Sequence, residues 1–381
     1  MQPVSDKRFC CGCETCAVCC PQHCIRMEED EEGFRYPVTD RERCTGCGLC
    51  ERICPERHPA AARTPVECLA ARARDAAMCA AGSSGGIFPL LAAATIRSGG
   101  VVFGAVFTPE GEVVHRRAET LEAIRPLLKS KYVQSRLDGV YAEVIASLRE
   151  GRRVLFTGTP CQIAGLHALL RGARTEGLLT AECLCHGVPS PGLWRRYLRE
   201  ISGGRRILRI DFRDKSRSGW QHYRFTVCTE KGTRSIPARK DPYMKGFRRE
   251  LTLRPSCYAC PFKSGRSGSD LTLCDLWNVA EAAPQFDDDR GASLVLANTE
   301  AGAAHFRALD TEHAALPYDE RVRARNGGFS EQVAAHPLRG VFFRELAAAG
   351  SVADLLRRMV RPPRKHPLLS KLSELFHPRP S

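Results

Sequence analysis

Long apolar runs are missing from this sequence of 381 residues. The longest, at residues 85–96, is too short to span a bilayer, which needs about 20 residues. The N-terminus also has no apolar segment of the kind found in signal peptides. We therefore expect neither a membrane-spanning helix nor secretion, and we expect a cytoplasmic location.

Aromatic residues are also few, at 7% of the chain, and they do not alternate with basic residues in a stripe. Such a stripe is typical of proteins that bind single-stranded nucleic acid by stacking and charge. We therefore do not expect nucleic acid as a partner.

The charge is unevenly divided along the chain. Residues 1–60 carry 8 Lys/Arg and 11 Asp/Glu, a net charge of −3, whereas the whole chain is +14, which leaves +17 on residues 61–381. A basic surface attracts acidic partners, such as an acidic ferredoxin or a polyanionic cofactor. A solvated basic surface without such a partner is an equally good interpretation.

The sequence is rich in cysteine, with 20 residues. In a chain without a secretion signal they indicate metal ligation rather than disulfides. Eleven lie between Cys10 and Cys54, and seven lie between Cys161 and Cys274. The chain is long enough for two or three domains, so the two groups need not belong to the same one.

Two runs near the N-terminus have the C-x2-C-x2-C-x3-C-P spacing of bacterial ferredoxins. Three cysteines of one loop bind three irons of a 4Fe-4S cluster, and the fourth ligand comes from the other run. The spacing therefore predicts two 4Fe-4S clusters and an electron-transfer protein. One cluster takes Cys10, Cys13, Cys16 and Cys54, and the other takes Cys44, Cys47, Cys50 and Cys20.

The first run allows a second assignment of its four ligands because it contains extra cysteines. A motif that began at Cys13 would reach His23 as its fourth ligand and would lack the proline, so the motif that begins at Cys10 is preferred. Structural zinc is the alternative to clusters, since four-cysteine zinc sites also use C-x2-C pairs. The cysteines predicted to be non-ligands are Cys11, Cys19 and Cys24.

Beyond the cysteine runs, helices and strands alternate. An apolar helix at 87–96 and strands at 101–107, 153–157 and 178–183 indicate a partly parallel sheet, and hairpin-like strands follow residue 205. We predict an α+β ferredoxin-like two-cluster module followed by an α/β domain with a mixed sheet. The predicted divisions are the ferredoxin-type domain (1–60), a linker (61–80), the two parts of the α/β domain (81–155 and 156–330) and a basic helical tail (331–381).

The tail combines basic and apolar residues in a pattern that suits a membrane surface. Packing on its own domain is the more common use of such a segment. The basic residues concerned are Arg357, Arg358, Arg361, Arg364, Lys365 and Lys371.

The body resembles the coenzyme F420 hydrogenase/dehydrogenase beta-subunit family, whose members are iron–sulfur flavoproteins. The motifs that carry the resemblance occur in the same order as in the family. They are SGGIF at 84–88, KYVQS at 131–135, GTPCQIAG at 158–165, CHGVPSP at 185–191, FRDK at 212–215, DPYMKGF at 241–247, LRPSCYAC at 253–260 and SDLTLCDLW at 269–277.

The resemblance implies that the α/β domain is a flavoprotein domain that binds FAD. No G-x-G-x-x-G follows a strand, so the sequence itself does not show a dinucleotide site. The glycine turn before the apolar helix is compatible with a phosphate. The flavin contacts that we predict are Ser84, Gly85, Gly86, Lys131, Tyr132 and Thr159.

The resemblance also implies a third 4Fe-4S cluster. The cysteines of the family motifs in this chain are Cys161, Cys185, Cys257 and Cys260. A structural zinc site, or a nucleophilic role for Cys161, is the alternative. One motif departs from the family, because CDLWN stands at 274–278 where GDFWG is usual.

The functional hypothesis is an FAD-dependent oxidoreductase that moves electrons between a ferredoxin or coenzyme F420-like carrier and a substrate. Arg213, Lys215 and His186 are candidate pocket residues, and a surface or core role is an equally good interpretation for each. The alternative is a non-catalytic iron–sulfur subunit that connects a partner enzyme to a redox carrier.

Overall fold

The protein is described by a computed structural model that covers residues 4, 6–173, 175–319, 322 and 329–361. The strands are β1 Ile25–Glu29, β2 Arg35–Thr39, β3 Glu67–Ala73, β4 Val101–Phe107, β5 Val113–Ala118, β6 Val154–Gly158, β7 Leu178–Cys183, β8 Ile207–Asp214, β9 Arg224–Thr229, β10 Gly232–Pro237, β11 Leu271–Asp275, β12 Ser293–Ala297 and β13 Thr311–Ala315. The helices are α1 Thr15–Cys19, α2 Leu49–Arg52, α3 Ala76–Ala81, α4 Ile87–Arg97, α5 Val140–Arg149, α6 Pro160–Leu169, α7 Pro191–Ser202, α8 Pro242–Arg248, α9 Val279–Ala282, α10 Glu300–Arg307, α11 Arg339–Leu346 and α12 Val352–Met359.

The N-terminal module, residues 6–57, consists of two cysteine loops and one hairpin. Strands β1 and β2 pair antiparallel, and the short helices α1 and α2 follow the two loops. Asp30 shapes the hairpin turn, because its Oδ1 atom accepts hydrogen bonds from the backbone amides of Glu32 (3.1 Å) and Phe34 (2.9 Å). The predicted ferredoxin-like domain therefore has its two strands and both loops.

An eight-stranded mixed sheet forms the centre of the body, residues 67–361. Its strand order is β13-β3-β12-β11-β7-β6-β4-β5. The four middle strands β11, β7, β6 and β4 run parallel, and the outer strands pair antiparallel. The predicted α/β domain with a large mixed sheet is confirmed.

The prediction of a linker at 61–80 is wrong for the second half of this segment. Residues 67–73 form β3, which lies between β12 and β13 inside the sheet, and α3 follows it. Strand β3 is buried almost along its whole length, so its sequence ECLAARA lacks the alternation of a half-exposed strand.

A second, three-stranded sheet of β10, β9 and β8 covers an aromatic core. The Trp194 ring lies 5.0 Å from the Phe212 ring and 5.1 Å from the Tyr243 ring, measured between centroids. Helices α11 and α12 bury their apolar faces in the same core through Phe342 and Leu356. The described part of the predicted tail thus packs on the body, while residues 362–381, with Arg364, Lys365 and Lys371, lie outside the described residues.

The module packs tightly on the body. Glu14 is buried, and its carboxylate accepts hydrogen bonds from the backbone amides of Leu137 (3.2 Å) and Asp138 (3.0 Å). A Cβ atom at Gly33 in the hairpin turn would lie 2.5 Å from the Cα atom of Gly192 in α7, so the two backbones meet directly there. Among the described residues, no helix has both the length and the apolar character to cross a membrane.

Candidate iron–sulfur and flavin sites

The first cysteine group, Cys10, Cys13, Cys16 and Cys54, is brought together in the module. Burial and the neighbouring thiols of the other three members raise the pKa of the Cys16 thiol. Burial, with Cys13 and Cys10 beside it, also raises the pKa of Cys54 to about 11. The structure therefore places Cys54 of the second run beside Cys10, Cys13 and Cys16 of the first.

The second cysteine group surrounds a small cavity that opens to solvent. Cys20, Cys44, Cys47 and Cys50 all line it, and Cys47 is exposed. Cys24, predicted to be a non-ligand, lines the same cavity, with its Sγ atom 3.3 Å from that of Cys20. Sequence spacing could not reveal this fifth cysteine, because it lies outside the motif.

The third cysteine group lines a cavity in the body. Cys161, Cys185, Cys257 and Cys260 come from three separate parts of the chain and meet there. Helix α6 places Cys161 next to its own N-terminus, where Thr159 and Gln162 form a capping box. The Thr159 Oγ1 atom lies 3.1 Å from the Cys161 Sγ atom.

In the residues that the structure describes, no group of three or more His, Cys, Asp or Glu side chains converges on a point where one metal ion would bind. A 4Fe-4S cluster does not need such a point, because each of its thiolates binds a different iron atom.

A buried arginine joins the first group to the third. Arg254, which is 1% exposed, precedes Cys257 and donates from Nε to the Cys10 carbonyl oxygen at 2.6 Å. Its Nη1 atom donates to Gln134 Oε1 (3.0 Å), and Gln134 Nε2 donates to the Cys11 carbonyl oxygen (2.8 Å). The Cys10–Cys11 backbone is thereby fixed against the segment that carries the third group.

A large cavity of about 800 Å³ lies at the carboxyl ends of the parallel strands. In open α/β sheets, ligands bind in this position. The cavity is lined by Thr157 and Gly158 at the end of β6, by the end of β7, and by Leu273 to Asp275 in β11. The N-termini of α4 and α6 also reach it, and free backbone amides at helix N-termini favour phosphate groups.

The predicted glycine turn meets the cavity in part. Ser84 and Gly86 line it, and Gly86 adopts a left-handed conformation (φ +81°) at the start of α4. Gly85 instead packs against β3, where a Cβ atom would lie 2.5 Å from the carbonyl oxygen of Ala71. Its amide donates to Ser293 Oγ at 3.0 Å. Gly85 thus shapes the turn rather than lining the cavity.

Lys131 and Tyr132, which are also predicted flavin contacts, line the cavity as well, but their polar groups already make hydrogen bonds within the protein. Lys131 Nζ donates to the carbonyl oxygens of residues 126–129 at 2.8–3.0 Å. Tyr132 accepts a hydrogen bond from Arg213 Nη1 at 3.2 Å. Thr159, the remaining predicted contact, lines the cavity beside them.

The predicted pocket residues Arg213, Lys215 and His186 have different positions. Arg213 makes a bidentate ion pair with Asp275, with both N–O distances at 2.7 Å. Lys215 Nζ donates to three backbone carbonyl oxygens and supports the glycine turn. His186 lies at the cavity wall, with Nε2 3.0 Å from Glu250 Oε1.

Sequence reasoning missed two buried titratable residues on the cavity wall. Burial lowers the pKa of His115 to about 4, so its ring is neutral near pH 7. The His115 Nε2 atom lies 2.8 Å from the Thr157 carbonyl oxygen, and Nδ1 has no hydrogen-bond partner in the described part of the chain. Burial raises the pKa of Glu182 to about 7. No sequence motif marks either His115 or Glu182 as a residue of the site.

The CDLWN segment forms one wall of the mouth of the cavity. Trp277 is 46% exposed, and its ring stacks on Trp220 with centroids 5.3 Å apart and planes within 4°. The Arg213 guanidinium lies 5.1 Å from the Trp277 ring centroid. The segment differs from the usual motif, but it keeps the tryptophan, Trp277, whose flat ring lies at the mouth of the cavity.

Comparison with known proteins first identifies the class of protein to which the N-terminal module is similar. Residues 9–57 match the family model of the 4Fe-4S dicluster domain, so the chain is an iron–sulfur protein. Residues 151–316 match the family model for the C-terminal part of the coenzyme F420 hydrogenase/dehydrogenase beta subunit. The predicted resemblance is therefore confirmed: the chain is similar to a 4Fe-4S dicluster domain over residues 9–57 and to this beta-subunit family over residues 151–316.

One solved structure with a similar chain is the F420-reducing NiFe hydrogenase complex from Methanosarcina barkeri. The TM-score is 0.46 and the sequence identity 17%, and the match covers 78% of this chain and 91% of that chain. No curated protein matches the sequence.

Proposed function

We infer that the protein is an FAD-dependent oxidoreductase that moves electrons between a ferredoxin or coenzyme F420-like carrier and a substrate. The observation that carries this proposal is a shared wall. Cys185, His186, Gly187 and Val188 line both the large cavity and the cavity of the third cysteine group. A redox cofactor in the first cavity and a cluster in the second would be separated by a single loop.

The residues around the large cavity fit FAD. The volume of about 800 Å³ lies within the usual range for cofactor sites. Ser84, Gly86 and Thr159, at the starts of α4 and α6, would hold the pyrophosphate. The unpaired His115 Nδ1 atom offers a hydrogen-bond acceptor to a bound group. When bound, FAD supplies two-electron exchange with a substrate and one-electron exchange with a cluster.

The chain's own residues supply the remaining parts of the site. Trp277 offers a flat surface at the mouth, against which a planar substrate stacks. The ion pair between Arg213 and Asp275 fixes the segment of the cavity wall that carries Trp277. Glu182, on the cavity wall, is protonated in mildly acidic solution and loses its proton as the pH rises through about 7.

The three cysteine groups extend from the surface towards the large cavity. The second group, with exposed Cys47, is the end at which a carrier or a partner protein exchanges electrons. The first group lies between it and the body, and the third adjoins the large cavity. We propose one 4Fe-4S cluster in each group.

The test is anaerobic reconstitution of the full chain, followed by iron, sulfide and flavin analysis of the same sample. We expect about twelve irons and one FAD per chain, since each 4Fe-4S cluster holds four irons. A Cys257→Ser variant should lose about four irons. Cys68→Ala, which changes a buried cysteine in β3 outside the three groups, should retain all of them.

The result also separates the two functional hypotheses. About eight irons without flavin would contradict the flavoenzyme proposal and favour the non-catalytic electron-transfer subunit. Twelve irons with FAD would justify assays with reduced coenzyme F420 and reduced ferredoxin as electron donors.

A further inference from the structure

Arg254 is a buried positive charge whose hydrogen bonds do not include a carboxylate. It is 1% exposed, and its acceptors in the described part of the chain are two backbone carbonyl oxygens, an amide oxygen and one cysteine sulfur. Buried charges in proteins are normally paired with an opposite charge, because leaving water is costly. The guanidinium therefore needs a counter-charge beside it.

Among the described residues, most neighbours of Arg254 cannot supply this charge by contact. Glu56 interacts with it electrostatically but forms no ion pair with it within 4.0 Å. The ring centroids of Tyr36 and Phe34 lie 4.1 Å and 5.4 Å from its central carbon, and ring faces attract a cation without carrying net charge. Cys10 is different, because its Sγ atom accepts a hydrogen bond from Arg254 Nη2 at 3.6 Å and becomes a thiolate when it binds iron.

An iron–sulfur cluster would complete the pair. Cys10 belongs to the first cysteine group, within the residues that match the 4Fe-4S dicluster domain. A 4Fe-4S cluster with four thiolate ligands is negatively charged and becomes more negative on reduction. The geometry points to Arg254 as the counter-charge of the first cluster. A positive charge that donates to a cluster sulfur stabilises the reduced form most, so it raises the reduction potential.

The guanidinium is held in this position by atoms other than the sulfur. Its Nε atom donates to the Cys10 carbonyl oxygen at 2.6 Å, Nη2 donates to the Arg35 carbonyl oxygen at 2.9 Å, and Nη1 donates to Gln134 Oε1 at 3.0 Å. Because these contacts do not involve the cluster, the charge should keep its place when the cluster is reduced.

The consequence is a direction for electron transfer. An electron from the carrier enters at the second group, which includes exposed Cys47, and passes to the first. In this step the second cluster is oxidised and the first is reduced, no bond forms or breaks, and no proton moves. Arg254 favours the step because it stabilises the reduced first cluster. This inference rests on the two clusters of the module in the proposed function, and on neither its flavin nor its third cluster.

Arg52 provides a matched comparison at the second group. Its Nη1 atom donates to the Cys47 carbonyl oxygen at 2.8 Å, as Arg254 donates to that of Cys10. Arg52 is exposed, however, and water and salt screen an exposed charge. Loss of the positive charge should therefore have a large effect at the buried site and a small one at the exposed site.

The test compares Arg254→Gln, Arg254→Lys and Arg52→Gln with wild type. Each full-length chain is reconstituted anaerobically, and its iron is counted. The cluster potentials are measured by redox titration followed by electron paramagnetic resonance. A Cys54→Ser variant identifies the signal of the first cluster, because it removes one of that cluster's ligands.

We expect Arg254→Gln to keep its iron and to lower the potential of the first cluster. At a fixed applied potential, the ratio of oxidised to reduced cluster should rise about tenfold, which is the effect of losing one hydrogen bond to a charged group. For a one-electron couple this ratio corresponds to about 59 mV. Arg254→Lys keeps the charge and should stay close to wild type. Arg52→Gln should change the ratio at the second cluster by less than about threefold.

Gln134→Glu tests the same charge without altering Arg254, and it decides the question if Arg254→Gln does not fold. It places a carboxylate where the amide oxygen accepts from Nη1 at 3.0 Å, so the guanidinium gains a competing counter-charge. The potential of the first cluster should fall in this variant as well.

An unchanged potential of the first cluster in Arg254→Gln or in Gln134→Glu would overturn the inference. Equal decreases in Arg254→Gln and Arg254→Lys would also overturn it, since the shape of the side chain rather than its charge would then matter. A wild-type chain with about eight irons and no flavin would instead contradict the flavoenzyme proposal and leave this test in force.

Discussion

Glu182 makes the stability of the protein depend on pH in a way that can be calculated. Burial is the largest cause of its raised pKa, and it outweighs the hydroxyl groups of Ser267, Thr272 and Ser269, which act in the opposite direction. The pKa is about 7 in the folded protein, against an ordinary value of 4.5. Between these pH values the unfolded chain loses its proton while the folded chain keeps it.

Stability therefore falls as the pH rises from 4.5 to about 7, and levels off above that. Each pH unit within this interval costs about 1.4 kcal/mol, so the full loss is about 3 kcal/mol. A Glu182→Gln variant keeps a hydrogen-bonding side chain of the same size and cannot ionise. We expect its free energy of unfolding to be close to that of wild type at pH 4.5, and higher by up to about 3 kcal/mol at pH 8.

Urea unfolding under anaerobic conditions at several pH values measures this difference. Glu122→Gln makes the same chemical change at an exposed position, and its free energy of unfolding should follow that of wild type at every pH. If the difference between Glu182→Gln and wild type is the same at pH 4.5 and pH 8, the carboxyl group does not hold a proton as described.

Three further changes test other parts of the structure. Gly46→Ala, at φ +69° with open space around its Cβ, should cost only the backbone strain of about 1–2 kcal/mol in urea unfolding, whereas Gly12→Ala, at the same φ but with its Cβ 2.9 Å from Arg254 Nη1, should cost more and release iron from the first group. Asp275→Ala should cost about 3–5 kcal/mol because it leaves the buried Arg213 guanidinium unpaired, and equal stability to wild type would contradict this. Trp277→Ala should weaken binding of coenzyme F420, the planar carrier proposed as substrate, about 3- to 10-fold in fluorescence titration because the ring offers its stacking surface, and an unchanged affinity would contradict that role.

The cysteine groups were the part of the site that the sequence predicted best. Ligand spacing within a loop is a local property, so the proximity of Cys54 to the first run and of Cys20 to the second could be predicted directly. Cys11 and Cys24 could not be placed in this way. Their positions beside the third and second groups depend on how the module folds and packs on the body.

The predicted flavin contacts show what the sequence motifs could not predict. The motif at 84–88 does begin α4 at the large cavity, yet Gly85 faces β3 and Lys131 is engaged by backbone carbonyl oxygens. A motif locates a turn, whereas tertiary packing decides which of its side chains points into a cavity. The strand at 67–73 was missed for a related reason, because alanine favours helices and a buried strand shows no alternation.

The meeting of Gly33 and Gly192, together with the burial of Glu14, has a consequence for kinetics. Many redox proteins carry their electron-accepting domain on a flexible tether, and their turnover slows when the solvent becomes viscous. Here the backbone of the module touches that of the body without an intervening side chain. Electron passage from the module to the body should therefore proceed at the same rate in buffer and in concentrated glycerol.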